Sequence, residues 1–112
     1  MTVKVLRQDE LPLSHIAHEL VGADHGVGVC VIFVDAPPGR GPSLHKHPYE
    51  EIFIVLEGEA SFRSEDDELD VRAGDVVIVP AETPHAFTSS AEGHLWQIDI
   101  HVNPTFDTEW LE

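Results

Sequence analysis

Apolar residues run along this chain in short blocks, each closed by glycine, proline or an acidic cluster, and none has the length or spacing of a long amphipathic helix. Residues 27–34 form a β-branched run that reads as a buried strand. Residues 51–56 are apolar on both parities, the pattern of a strand covered on both faces, with Phe53 and Val55 sharing the face of Glu51 while Ile52, Ile54 and Leu56 share the other. Residues 95–102 alternate instead. Trp96, Ile98, Ile100 and Val102 fall on one face and Gln97, Asp99 and His101 on the other, so this strand separates two environments. Shorter strands are predicted over 59–63, 69–72, 76–80 and 85–88, and a first short strand is expected within 1–14. Residues 14–21 fit a helix through Ile16, Leu20 and Val21 or a strand through Ile16, His18 and Leu20. The strand is preferred because everything after it is strand-like.

Turns punctuate the pattern at 22–26, 36–42, 58, 64–68, 73–75 and 81–84. The acidic run at 64–68 lacks the alternating oxygen ligands, glycine and closing glutamate of an EF-hand, so it reads as a solvated hairpin tip. Many short strands without a convincing helix predict an all-β antiparallel sandwich or barrel in one domain spanning 1–112. An apolar strand, a proline-rich turn and a histidine follow one another twice, at 34–45 and again at 79–85, as two Greek keys of a jelly roll would require. The tail, 105–112, carries Phe106, Trp110 and Leu111 and is too apolar for a free end.

Composition narrows the partners. Six basic residues against 21 acidic give a net charge of −15, which repels a nucleic-acid backbone. No apolar run approaches the roughly 20 residues that cross a bilayer, and the first residues lack the apolar core of a signal peptide; a cytoplasmic protein is expected. Cys30 is the only cysteine and lies in an apolar run, where a buried, inert thiol is expected. An uncovered edge strand and exposed apolar residues would favour a homodimer.

The candidate chemistry sits at 39–58. His45 and His47 are two apart, so on an extended segment their imidazoles share one face, with Cα atoms about 6.6 Å apart, and Glu51 follows four residues after the second. Strand alternation puts Glu50 on the opposite face from Glu51 and favours Glu51 as the carboxylate partner. Neutral imidazoles with one carboxylate suit first-row divalent ions. His15, His18 and His25 have no partner at ligand spacing and are expected to be surface or structural histidines.

With Gly39, His45, His47, Glu51 and Gly58 at these separations, the segment resembles the first motif of the cupin superfamily, and Gly74, Pro80 and His85 resemble the second. Glu82 stands where the second motif has glycine, and Ser89 where it has asparagine. The resemblance implies a double-stranded β-helix, or jelly-roll barrel, with motifs at 39–58 and 74–89, flanking strands in 1–34, and a last strand and tail over 95–112. It implies one divalent ion, iron, manganese, nickel, copper or zinc, held by His45, His47, Glu51 and His85. Such a centre would serve a metal-dependent oxygenase (a dioxygenase, for example), isomerase or lyase acting on a small organic molecule. A binding module without turnover, or a structural dimer, is the alternative. Phe33, Phe53, Phe87 and Trp96 are candidates for an apolar pocket wall. His101 and Asp99 are candidates for an acid or base at the pocket mouth, with a solvent-facing strand surface as the competing expectation, and Tyr49 and Arg40 for substrate contacts beside the ligands.

Overall fold

A computed structural model describes residues 3–112. In chain order the strands are β1 (Leu13–Ser14), β2 (Ala17–Leu20), β3 (Cys30–Ala36), β4 (His45–Lys46), β5 (Glu51–Glu57), β6 (Glu59–Arg63), β7 (Glu68–Arg72), β8 (Val76–Val79), β9 (Ala86–Ser89), β10 (Leu95–His101) and β11 (Glu109–Trp110), with 3-10 turns at Gln8–Glu10 and Gly22–His25. All pairings are antiparallel. One sheet runs β1-β2-β3-β10-β5-β8, a second β7-β6-β9, and a two-stranded ribbon β11-β4 completes the arrangement. This is the double-stranded β-helix that the motif resemblance implies, with separate sheets and no continuous hydrogen-bonded closure among the described residues.

The local differences have local causes. Two residues of the expected first strand, 1–2, lie outside the described residues, while Val3 and Val5 are exposed and belong to no strand. The strand expected at 27–34 occupies Cys30–Ala36 instead, because the Val27 N–H closes the preceding turn on the Gly22 carbonyl at 2.9 Å and Gly26 turns left-handed at φ 70°. Residues 17–20 are strand, as preferred, with Ala17 opposite Val34. In β5, Glu51, Phe53 and Val55 are buried together as alternation predicts, but the opposite face is only half covered and Leu56 is 49% exposed.

The largest reversal concerns β10. Its apolar face points outward and its polar face points in: Gln97, Asp99 and His101 are buried, whereas Trp96 is 39% exposed. Phe33 pairs in register with Ile98 and shares that outward face, so neither Phe33 nor Trp96 walls the interior. Phe53 and Phe87 do, and with Phe62 they form a cluster whose ring centroids lie 4.9 to 5.9 Å apart. Around it pack Ala17, Val34, Ala36, Val55, Ala60, Val79 and Leu95, which fill the space between the two larger sheets. No helix among the described residues is long and apolar enough to cross a membrane.

Candidate metal centre

Three short segments deliver the cluster. β4 carries His45 and runs into His47, β5 begins at Glu51, and His85 lies just before β9, where it exchanges two backbone hydrogen bonds with His45 at 3.0 and 2.8 Å. The loop before β4 is held down by Gly41, where any Cβ would come within 1.8 Å of the Phe87 carbonyl oxygen. The turn before His85 keeps a glycine-like geometry although Glu82 stands there: its φ is 64°, its N–H donates to the His47 carbonyl at 2.7 Å, and its carboxylate meets Lys46 at 3.1 Å. Buried Ser89 ties the second motif to the first by accepting from the Arg40 N–H and donating to the Pro37 carbonyl. Both departures from the motif are thus accommodated locally.

His45, His47, Glu51 and His85 are all buried, and one donor atom from each lies within 4.8 Å of the others. Their hydrogen bonds fix how they can be used. The Nδ1 of His45 faces the Ser43 carbonyl at 2.7 Å, that of His47 the Asp107 carbonyl at 2.8 Å, and that of His85 the Thr83 carbonyl at 2.9 Å. A carbonyl only accepts, so each Nδ1 carries the proton and each neutral ring turns a bare Nε2 inward. The Nε2 atoms of His47 and His85 both lie 3.1 Å from Glu51 Oε1, and His47 Nε2 has no hydrogen bond of acceptable geometry. Acceptors therefore crowd acceptors. Either extra protons or a cation must reconcile them, and three imidazole nitrogens with one carboxylate oxygen suit a first-row divalent ion.

The electrostatics agree. Burial, helped by the neighbouring His85 and His47, pushes His45 down to about 4 and leaves its Nε2 unprotonated at neutral pH. Burial works against a proton on His47, but Glu51 and the Asp107 carbonyl outweigh it and raise this histidine above its ordinary value. Burial likewise opposes charge on Glu51, yet the surrounding imidazoles of His101, His47 and His85 outweigh it and hold the carboxyl well below the usual range. A cation at this point would replace the protons that the carboxylate draws in.

The cluster faces a cavity of about 550 Å³ walled chiefly by apolar side chains, among them Ile16, Ile32, Val34, Phe53, Phe87 and Phe106. Beyond the cluster, His15, Glu19, Arg40, Asp99 and His101 supply its ionisable groups. Asp99 and His101 line the interior and are buried, and the competing expectation of a solvent-facing surface fails for both. Burial, and then the charge of Glu51, raise the Asp99 carboxyl well above its ordinary value; its one hydrogen bond is from Gln97 Nε2 at 2.8 Å. Tyr49 is buried behind the cluster, 2.6 Å from His101 Nδ1. His15 lies on the cavity wall with an exposed side chain, His18 bonds the Leu11 carbonyl, and His25 meets Lys4, so none joins the cluster.

Sequence reasoning did not anticipate the part played by the tail. β11 pairs with β4, Trp110 packs on His45 at 5.0 Å, and the Asp107 carbonyl anchors His47. The only signal was the apolar character of Phe106, Trp110 and Leu111, which did not say where they would dock.

The cupin-domain family model matches residues 32–100. Among curated proteins, the oxalate-binding protein of Thermotoga maritima is 39% identical over 59 residues, 52% of this chain and 41% of that protein. The chain spans about two fifths of the length of the curated relatives it matches. Among solved structures, a protein with a double-stranded β-helix domain from Klebsiella pneumoniae superposes with a TM-score of 0.79 over 99% of both chains at 19% identity. Oxalate decarboxylase from Bacillus subtilis, an enzyme with Mn(II) centres, superposes with a TM-score of 0.83 over 99% of this chain and 33% of that one, again at 19% identity. At such identities the structural likeness speaks for the fold alone. With the family model covering more than half of its length, the chain belongs to the cupin family.

Proposed function

We propose that the protein is a metal-dependent enzyme that acts on a small organic molecule, with one divalent ion held by His45, His47, Glu51 and His85. The observation that carries this reading is the crowding of bare Nε2 atoms around Glu51 Oε1 at the base of a cavity. When bound, such an ion supplies Lewis acidity, activation of water or a redox centre. The chain's own residues do the rest: apolar walls exclude water from a bound molecule, Asp99 offers a hydrogen-bonding group within the cavity, and Arg40 supplies a cation for an anionic substituent. The oxalate named for two of the similar proteins is one candidate ligand. A cavity of about 550 Å³ with aromatic walls also admits a larger oxygen chelator with an apolar body, such as a phenol or diketone.

Metal analysis of protein purified without chelator should find about one transition-metal ion per chain. Oxygen uptake or product formation with the metal-loaded protein, screened against oxalate, phenols, diketones and sugars, then tests turnover. Saturable binding of one of these without turnover would favour a binding module, the reading supported by the name of the Thermotoga maritima relative. Failure to bind any divalent metal would overturn both.

The physiological unit we propose is a homodimer joined through the outer face of the larger sheet. Ile54, Leu56, Val76, Ile78, Trp96 and Ile98 lie there on three adjacent strands, with Val76 60% and Ile78 70% exposed. A second copy is the occupant that fits. The face is uncharged at these positions and able to meet itself about a two-fold axis, whereas a net charge of −15 opposes contact elsewhere. Light scattering at micromolar concentration should give twice the chain mass, and a monomeric mass would contradict the assignment.

A further inference from the structure

A third histidine touches Glu51 beside His47 and His85, and its hydrogen bonds give it a different part from the three histidines of the cluster. His101 opposes Glu51 directly in the β10–β5 register, and its Nε2 lies 3.0 Å from Glu51 Oε2, the oxygen turned away from His47 and His85. It is not one of the four residues whose donor atoms converge within 4.8 Å.

The protons can be counted one by one. His47 Nδ1 gives its hydrogen to the Asp107 carbonyl, so it cannot also accept from the Tyr49 hydroxyl 3.4 Å away. The Tyr49 oxygen receives the Asp107 N–H at 3.2 Å. A phenol keeps its hydrogen at neutral pH, and Tyr49 gives it to the remaining acceptor, His101 Nδ1, at 2.6 Å. His101 therefore carries its proton on Nε2, the reverse of the tautomer in His45, His47 and His85. That proton points at Glu51 Oε2.

We propose that His101 is a positioning residue and not a ligand: its Nε2–H holds Glu51 Oε2, Tyr49 sets its tautomer, and Glu51 is left with Oε1 alone to offer an ion. The claim rests on the metal-centre reading for its consequence, but the tautomer stands apart from it. By committing Oε2, the Asp107–Tyr49–His101 chain fixes which carboxylate oxygen faces the three bare imidazole nitrogens. Outer partners of this kind orient ligands and raise affinity without touching the metal.

Two measurements test this. In metal titrations, His101→Phe should keep one ion per chain but bind it about 10- to 100-fold more weakly, the range for lost outer-shell partners. His101→Gln, whose amide can donate to Oε2, should recover part of the loss. Most of the effect of Tyr49→Phe should vanish in the His101→Phe background, because Tyr49 acts through His101. Pulsed paramagnetic resonance on the Cu(II)-loaded protein should count the same three imidazoles in native and His101→Phe proteins. Unchanged affinity, or loss of one coordinated imidazole on His101→Phe, would overturn the proposal. Nitrogen-15 ring spectra of the metal-free protein should show His101 as the Nε2–H tautomer and show it disturbed in Tyr49→Phe. An Nδ1–H tautomer would sink the positioning role whatever the metal titrations give, while the expected tautomer in a protein that binds no metal would uphold the hydrogen-bond chain and overturn the metal centre alone.

Discussion

The two faces of the larger sheet depart from the usual rule for a sheet half in water, with ionisable groups set among the core residues inside and large apolar side chains outside. Its inner face buries Glu51, Gln97, Asp99 and His101, whereas its outer face leaves Leu56, Val76, Ile78 and Trp96 substantially exposed. Buried ionisable groups are costly unless paired, and here they are paired only in part: Glu51 is ringed by histidines, while Asp99 has a single hydrogen bond from Gln97. The apolar contacts that hold the barrel together lie beside these groups, since Val34, Phe53, Val55 and Leu95 are buried on the same inner face. Phe62 and Phe87 of the facing sheet complete the cluster around Phe53, and in the proposed dimer the outer face adds to it. The difference teaches that the inner face combines the chemistry with the core, while the outer face is left for cohesion between copies in the proposed dimer, with the same strands serving both.

Changes confined to one face should therefore leave the other's property intact. The largest effect is expected from the inner face: His45→Ala with His85→Ala removes two of four proposed ligands, so metal content should fall from about one ion per chain to almost none while light scattering still reports a dimer. Equal metal content in both preparations would break the comparison at its centre. Next comes the outer face, where Ile78→Lys places a charge on each side of a two-fold contact and should shift the protein to monomer at micromolar concentration with its metal retained.

A smaller effect separates buried chemistry from buried structure. Because burial raises the Asp99 carboxyl, its contribution to stability is fully present below the unfolded value near 3.9 and is lost as the pH rises through the folded value. Asp99→Asn keeps an oxygen for Gln97 and cannot ionise. Its melting temperature should exceed that of the native protein in alkaline buffer, and the gap should close as the pH falls towards 4. A gap that grows on acidification would reverse the sign. The smallest effect belongs to the turn that carries the chain from one sheet to the other: Glu82→Gly relieves a left-handed residue and should stabilise by about 1 kcal/mol at most, less the loss of the Lys46 ion pair, as read by denaturant midpoint.

The inner cluster was legible in the sequence to an unusual degree, since the spacing of His45, His47 and Glu51 is local and strand alternation alone places them on one side. The motif resemblance supplied His85, and the structure brings it to the other three. What escaped was non-local. Alternation in β10 announced two faces but could not say which was the interior, because the usual rule points the apolar face inward and this strand does the opposite. For the same reason Phe33 and Trp96 passed for pocket walls. The cross-strand meeting of His101 with Glu51 depends on the β10–β5 register, and the docking of the tail on β4 depends on a pairing of two residues; neither leaves a signature in composition or period.

That tail ties the order of the last residues to the readiness of the centre. The Asp107 backbone holds His47 through its carbonyl and Tyr49 through its N–H, and Trp110 lies against His45, so the strap must be seated for both imidazoles to aim correctly. Thermodynamic reciprocity then requires that an ion which favours the aimed imidazoles also favours the seated strap. Amides over 107–111 should exchange with solvent more slowly in the loaded protein than in the empty one, which makes this short segment a built-in reporter of occupancy.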